Sequence, residues 1–272
     1  MRSRLREFRS LISLLTTIPV GTGSLSEAAK AFHMVPLVGL IEGLLIAIAL
    51  HPITAVDRGF LLGSVYFVLH LLVTGGIHMD GFADYSDVLG ARAHGVRALE
   101  ILKDPRKGSY AMMALVANGL LSMSSIALLS RSIGVGGFDG LLTLASVLTV
   151  IYVSSAESMF LVLSHSPPEP YEGMARVFSL ESKATRPLNL RVYVLTLVPP
   201  LALLYVLTSI RGALLVLTLT LASLALTVAF TLRDSSSRLG FANGDVAGFS
   251  YELTRVLSLT LVSVSLAWYL KP

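Results

Sequence analysis

Seven apolar stretches, at about residues 34–51, 60–76, 110–130, 141–163, 192–210, 212–232 and 256–270, divide this chain, and most of its charged residues fall between them. Roughly 20 predominantly apolar residues, with about 17 to 25 common, suffice for a helix to cross the hydrocarbon core of a bilayer. In lipid a spanning segment must satisfy its own backbone polar groups, and a helix does so internally. The pattern therefore predicts an all-α integral membrane protein. It is read as a polytopic bundle of about seven transmembrane helices forming a single membrane domain over residues 1–272. The charged fraction agrees: 14% of the chain, where a soluble domain carries about 25%. The chain has no cysteine, which excludes disulfides and thiolate metal ligands. A hard cation held by oxygen ligands remains open.

Before the first stretch stand Arg2, Arg4, Arg6 and Arg9, followed by a short apolar run to Val20. Two readings apply, a cleaved signal peptide or a retained amphipathic or re-entrant segment. The run is short and no clear small-x-small cleavage site follows, so a retained segment is expected. Lysine and arginine then orient the bundle. In a seven-span arrangement, 17 of them fall on one side, in the N-terminal segment and the connections 77–109, 164–191 and 233–255. Arg58, Arg131, Arg211 and Lys271 fall on the other. The positive-inside rule makes the first side cytoplasmic, in a multi-pass protein of the cell membrane.

The connection at 77–109 on that side carries the chemistry. Asp80, Asp84 and Asp87 are spaced i, i+4 and i+7, which places them on one face of a helix. Three like charges on one face repel unless a cation lies among them. One reading is a divalent-metal site for Mg²⁺, which a few carboxylates hold together with substrate phosphates and water. The other is a solvated acidic helix surface. Gly75-Gly76 precedes the cluster and permits a bend or a close helix approach; Gly81 leaves space beside Asp80 for a ligand. Further on, Lys103-Asp104-Pro105-Arg106-Lys107-Gly108-Ser109 places three cations, a carboxylate and a glycine immediately before the third apolar stretch. That strip suits a phosphate, and it also suits an ordinary basic anchor at the membrane edge. Together the acid cluster and the basic strip match a phosphoryl-transfer site at a membrane surface. Nothing in the pattern calls for a nucleic-acid partner.

The run from Gly75 to Asp87, followed by Leu99-Glu100-Ile101-Leu102-Lys103-Asp104-Pro105-Arg106-Lys107-Gly108-Ser109, strongly resembles the cobalamin synthase family. This is the family of membrane-embedded adenosylcobinamide-GDP ribazoletransferases, or cobalamin-5′-phosphate synthases. The resemblance extends to Thr17-Ile18-Pro19-Val20, to Pro36-Leu37-Val38-Gly39 and to Gly244-Asp245-x2-Gly248, with the central block the specific part. The chain departs from the family pattern at Thr16-Thr17, at Ser154-Ser155 and at Gly240-Phe241-Ala242-Asn243-Gly244-Asp245. The resemblance implies a Mg²⁺-dependent transfer joining adenosylcobinamide-GDP to α-ribazole or its 5′-phosphate with release of GMP. It implies that Asp80, Asp84 and Asp87 bind metal. It makes Asp104 a further ligand or the group that activates the attacking hydroxyl. Lys103 and Arg106 would hold the diphosphate, and His78 would orient Asp80 or the substrate, the other reading being a helix-end histidine at the interface. Gly81 and Gly108 are further candidate substrate contacts, and so are Asn243 and Asp245, whose glycine-bearing loop suits either nucleotide contact or turn chemistry. A homo-oligomer is compatible with it.

Two carboxylates, Glu42 and Glu157, lie within apolar stretches. Such groups usually face a bundle interior or a cavity. Glu42 suits either a polar cavity or a hydrogen bond to another helix, whereas the serines around Glu157 favour hydrogen bonding between helices. Two alternatives compete with the favoured function. A CDP-alcohol phosphotransferase would carry Asp-x2-Asp-Gly-x2-Ala-Arg and a downstream Gly-x3-Asp-x3-Asp, which this chain lacks. A cation transporter would pair its acids near the bilayer midplane.

Overall fold

A computed structural model describes residues 2–21, 23–135 and 137–270; Met1 and Lys271 lie outside the described residues, and so does the side chain of Arg2. Among the described residues the chain is helical throughout, with no strand. The helices are α1 (Arg2–Leu15), α2 (Leu25–Lys30), α3 (Val35–Thr54), α4 (Phe60–Thr74), α5 (Ile77–Gly90), α6 (Gly95–Lys103), α7 (Ser109–Ser132), α8 (Phe138–His165), α9 (Met174–Leu207), α10 (Ile210–Arg238) and α11 (Gly244–Tyr269), with a 3₁₀ turn at Phe32–Met34 before α3.

Each of the seven apolar stretches lies in one of the helices α3, α4 and α7–α11. Five of these, α3 (counted from Phe32) and α7–α10, are long and apolar enough to cross a membrane. The sixth candidate is α4 and α5 taken together, bent by 98° at a short break. The chain is thus a polytopic membrane protein, with fewer unambiguous spans than the seven expected. The shortfall has two causes. The 15 residues of α4 rise only about 22 Å at 1.5 Å per residue. The 26-residue α11 contains Asp245, Glu252 and Arg255, which lower its hydropathy.

The fold is centred on α8, whose apolar window is 94% buried; α3, α9, α10 and α11 pack around it. Close approach of α3 is enabled by Gly43, where a Cβ would meet the Thr149 backbone at 2.8 Å. A buried polar knot then ties four helices together. Arg255 donates to Glu252 (2.7 and 2.9 Å), to Asn118 (2.6 Å), and to Tyr66 and Ser122 (3.1 Å each). His70 meets the other Glu252 oxygen at 2.8 Å and the Tyr152 hydroxyl at 2.9 Å. Every one of these side chains is buried. A buried ion pair is tolerable only when its remaining donors and acceptors are satisfied, and this one is bound from α4, α7, α8 and α11. Both intramembrane carboxylates noted above join helices: Tyr251 donates to Glu42 at 2.6 Å, and Asn189 donates to Glu157 at 3.0 Å.

At the other extreme of the sequence, α1 is an amphipathic helix. Leu11, Ile12 and Leu15 are buried, while Arg4 and Arg6 are exposed. The region 164–191, read as a loop from its prolines, is mostly helix: α9 begins at Met174, 18 residues before its apolar stretch. Its 34 residues are about 51 Å long, well beyond a hydrocarbon core of about 30 Å. Hydropathy marks only the part of a helix that lipid could cover, and so the charged first turns escaped it.

Candidate active site

The bend between α4 and α5 creates the site. Gly75 and Gly76 have φ of +63° and +69°, in the left-handed region where a side chain is costly and glycine is not. Two such residues in succession end α4 and start α5 at nearly a right angle. Thr17 locks the corner by donating its backbone N–H to Val73 (2.9 Å) and its hydroxyl to Leu72 (2.7 Å). Of the two outcomes the glycine pair allowed, the structure takes the bend.

The start of α11 holds α5 in place. At Gly81 a Cβ would lie 2.9 Å from the Asp245 Cα, and at Gly248 it would lie 3.0 Å from the His78 carbonyl oxygen. The room beside Gly81, expected to admit a ligand, is therefore taken by the α11 backbone. Phe82 stacks on Phe249 (5.3 Å, 13°), and the Tyr85 hydroxyl donates to Asp234 of α10 at 2.7 Å. The helix is 14 residues long and depends on these contacts for its direction.

The three aspartates share one face of α5, yet they have different partners. The Lys107 ammonium reaches both Asp80 (2.6 Å) and Asp84. Partial burial pulls the Lys107 ammonium down, but its hydrogen bonds to the two carboxylates outweigh that and raise it above the usual lysine value. Asp87 instead accepts the backbone N–H groups of Gly108 (2.6 Å) and Ala111 (2.8 Å). It serves as an anionic cap on the N-terminus of α7, where the helix presents unpaired donors and a positive dipole end. This also accounts for Gly108, whose N–H meets Asp87 and where a Cβ would lie 2.6 Å from the Asp87 carboxylate.

The basic strip does not act as one unit. Asp104 and Arg106 pair with each other at 2.8 and 3.0 Å. Hydrogen bonds from the Arg106 side chain and backbone hold the Asp104 carboxyl down at about 2. Lys103 lies 5.7 Å over the ring of Tyr171, in the loop before α9. Among the described residues, neither Lys103 nor Arg106 makes an ion pair with Asp80, Asp84 or Asp87. The cation that does so, Lys107, was not singled out from the sequence; three cations in five residues offer no spacing by which to choose among them.

Across from the acid pair stand Asn243 and Asp245. Asn243 caps α11 by accepting the Val246 N–H at 3.1 Å, and its amide donates to Asp245 at 2.9 Å. Asp245, Asp80 and His78 all line one cavity of about 150 Å³. His78, in the first turn of α5, is buried rather than interfacial and stacks on Tyr251 at 4.2 Å. Among the described residues its Nε2 has no hydrogen-bond partner.

The oxygen donors fit a hard divalent ion in part. Asp80 and Asp84 come close enough to share one ammonium, and Mg²⁺ is commonly bound by only one or two carboxylates plus substrate oxygens. Asp87 spends both oxygens on α7. Among the described residues no group of three His, Asp or Glu is assembled to hold a metal. The transporter reading fares less well. The acid pair sits at an end of the bundle beside a lysine, and the buried Glu252 is already taken by Arg255 and His70.

A helical membrane bundle with an acid pair, a lysine and a capped helix start at one end defines a class: an integral-membrane protein equipped to handle an anionic group at its surface. Within that class the chain belongs to the cobalamin-5-phosphate synthase family, whose model matches residues 7–263. It is similar to the adenosylcobinamide-GDP ribazoletransferase of Pseudomonas aeruginosa, with 31% identity over 97% of this chain and 100% of the relative. The proteins of that name from Sinorhizobium medicae and Azorhizobium caulinodans are each 30% identical. They align with 94% of this chain, and with 95% and 94% of their own lengths. No solved structure matches the chain.

Proposed function

We propose that this chain is an adenosylcobinamide-GDP ribazoletransferase, joining adenosylcobinamide-GDP to α-ribazole or its 5′-phosphate and releasing GMP. Family membership over nearly the whole chain supports the substrates. The observation that carries the chemistry is the convergence of Asp80, Asp84 and Lys107 at the bent end of the bundle. In the reaction a ribose hydroxyl oxygen bonds to the phosphorus that bears the cobinamide arm. The bond from that phosphorus to the bridging oxygen breaks, GMP leaves with the electron pair, and the hydroxyl proton passes to a base.

Asp80 and Asp84 would hold a Mg²⁺ ion, which when bound neutralises charge on the diphosphate. Lys107, which pairs with both carboxylates, would contact the phosphate oxygens, and the exposed Arg106 guanidinium would provide a second cation for the donor. Asp87 keeps the α7 start, and with it Lys107, in register. Asp245 lines the cavity beside Asp80 and is the carboxylate placed to take the hydroxyl proton. Asp104, held down at about 2 by Arg106, is a weak base and instead sets the guanidinium. The excess of lysine and arginine around this end supports a cytoplasmic orientation in the cell membrane.

The test uses purified chain in lipid with adenosylcobinamide-GDP, α-ribazole and Mg²⁺. Stoichiometric GMP and a joined corrinoid product are expected. Folded protein that releases no GMP would refute the assignment.

A further inference from the structure

The cavity beside the acid pair has a chemistry that the phosphate-handling groups do not explain. Its wall is apolar: Phe32, from the 3₁₀ turn before α3, meets Phe178 of α9 edge-on at 4.9 Å, and Met159 of α8 lines the same space. Two carboxylates, Asp80 and Asp245, also line it, and so does the buried imidazole of His78. The cavity measures about 150 Å³. An apolar wall of this kind takes up flat aromatic groups. A corrin macrocycle and a guanosine diphosphate are both far too large, and the latter too polar, to enter it.

We infer that this cavity is the acceptor-base pocket: it takes the flat, apolar base of the ribazole nucleoside and delivers the attached ribose to Asp80 and Asp245. The inference rests on the function proposed above. A benzimidazole attached to ribose has one free ring nitrogen and otherwise apolar edges. That suits a lining that is apolar apart from His78 and the two carboxylates. A purine base would bring several further polar groups against Phe32, Met159 and Phe178, where nothing satisfies them. Each buried unsatisfied group costs about tenfold or more in affinity. With the base inside, the ribose is left beside the carboxylates, where the acid pair and Lys107 stand.

The experiment measures GMP release by the full chain in lipid, with the ribosides of 5,6-dimethylbenzimidazole, benzimidazole and hypoxanthine as acceptors. Equilibrium dialysis of the same ribosides is run without donor. Removing each ring methyl should raise the acceptor KM about fourfold, the transfer value of one buried carbon. Hypoxanthine riboside should be worse by about a hundredfold, from at least two unsatisfied groups. The KM for adenosylcobinamide-GDP should not move across the series. Ala175→Phe, which fills the cavity from α9, should raise the acceptor KM by an order of magnitude and leave the donor KM unchanged. Because that variant could fail to fold, the wild-type acceptor series decides on its own. GMP release with a flat preference across the three bases would overturn the pocket and leave the function standing. Graded riboside binding with no GMP release from any acceptor would refute the function and keep the pocket.

Discussion

Asp87→Asn separates two roles that a shared helix face makes look alike. In the structure both Asp87 oxygens accept backbone N–H groups at the start of α7, at 2.6 and 2.8 Å. An asparagine side chain can accept one of them, but turns an amide N–H toward the other. Losing one hydrogen bond to a charged acceptor costs about 1.5–3 kcal/mol. Losing the charge beside a helix N-terminus adds about 0.3–1 kcal/mol. The expected destabilisation is therefore about 2–4 kcal/mol, read as a lower unfolding midpoint by circular dichroism in lipid or mild detergent. The parallel variant is Asp84→Asn, whose oxygen meets only the Lys107 ammonium among the hydrogen bonds described. It should keep most of its stability and lose metal-dependent GMP release by about 10²–10³-fold, the usual effect of removing one electrostatic group from a transition state. Asp87→Asn should lose less activity, and cooling should restore part of it. An Asp87→Asn protein with wild-type stability and the same turnover defect as Asp84→Asn would refute this division of labour.

Three further outcomes follow from the packing. Gly81→Ala places a methyl group 2.9 Å from the Asp245 Cα, against backbone that cannot rotate away. A stability loss of about 1–3 kcal/mol, with reduced turnover, is expected from thermal unfolding and GMP assays; an unaffected variant would mean that α5 and α11 part freely. Arg255→Met leaves Glu252 buried opposite only His70 and should cost about 3–5 kcal/mol. The double variant Arg255→Met with Glu252→Leu should recover much of that loss, and no recovery would count against the buried-charge account. Asp104 is held below its ordinary value, so its contribution is present above the usual carboxylate range and is lost only as pH falls through about 2. Between pH 5 and 9 it stays ionised. The acidic limb of the pH–rate profile should persist in Asp104→Asn, and its disappearance would make Asp104 the base.

The helical membrane class was legible because apolar length is a property of consecutive residues. The acidic face was legible for a similar reason: i, i+4 and i+7 spacing survives into α5 unchanged. What each aspartate touches was not. Asp87 meets Gly108 and Ala111 only because the chain doubles back through α6, a path no local pattern encodes. The knot of His70, Asn118, Glu252 and Arg255 was also hidden. Arg255 stood at the edge of an apolar stretch and was counted among the residues of a connection, although Glu252 three positions earlier was a clue to a paired, buried turn. The cavity draws its wall from α1, α8, α9 and the turn at Phe32, residues that read one by one as ordinary core.

The corner at Gly75-Gly76 has a consequence for where the substrates meet. Over its 15 residues α4 climbs only about 22 Å, less than the roughly 30 Å thickness of a hydrocarbon core. The chain turns sideways before a helix of ordinary length would have left the lipid. Two glycines thereby set the level along the bundle at which the acid pair stands. A short first arm of this kind should be matched better by a thin bilayer than by a thick one, as other short spans are.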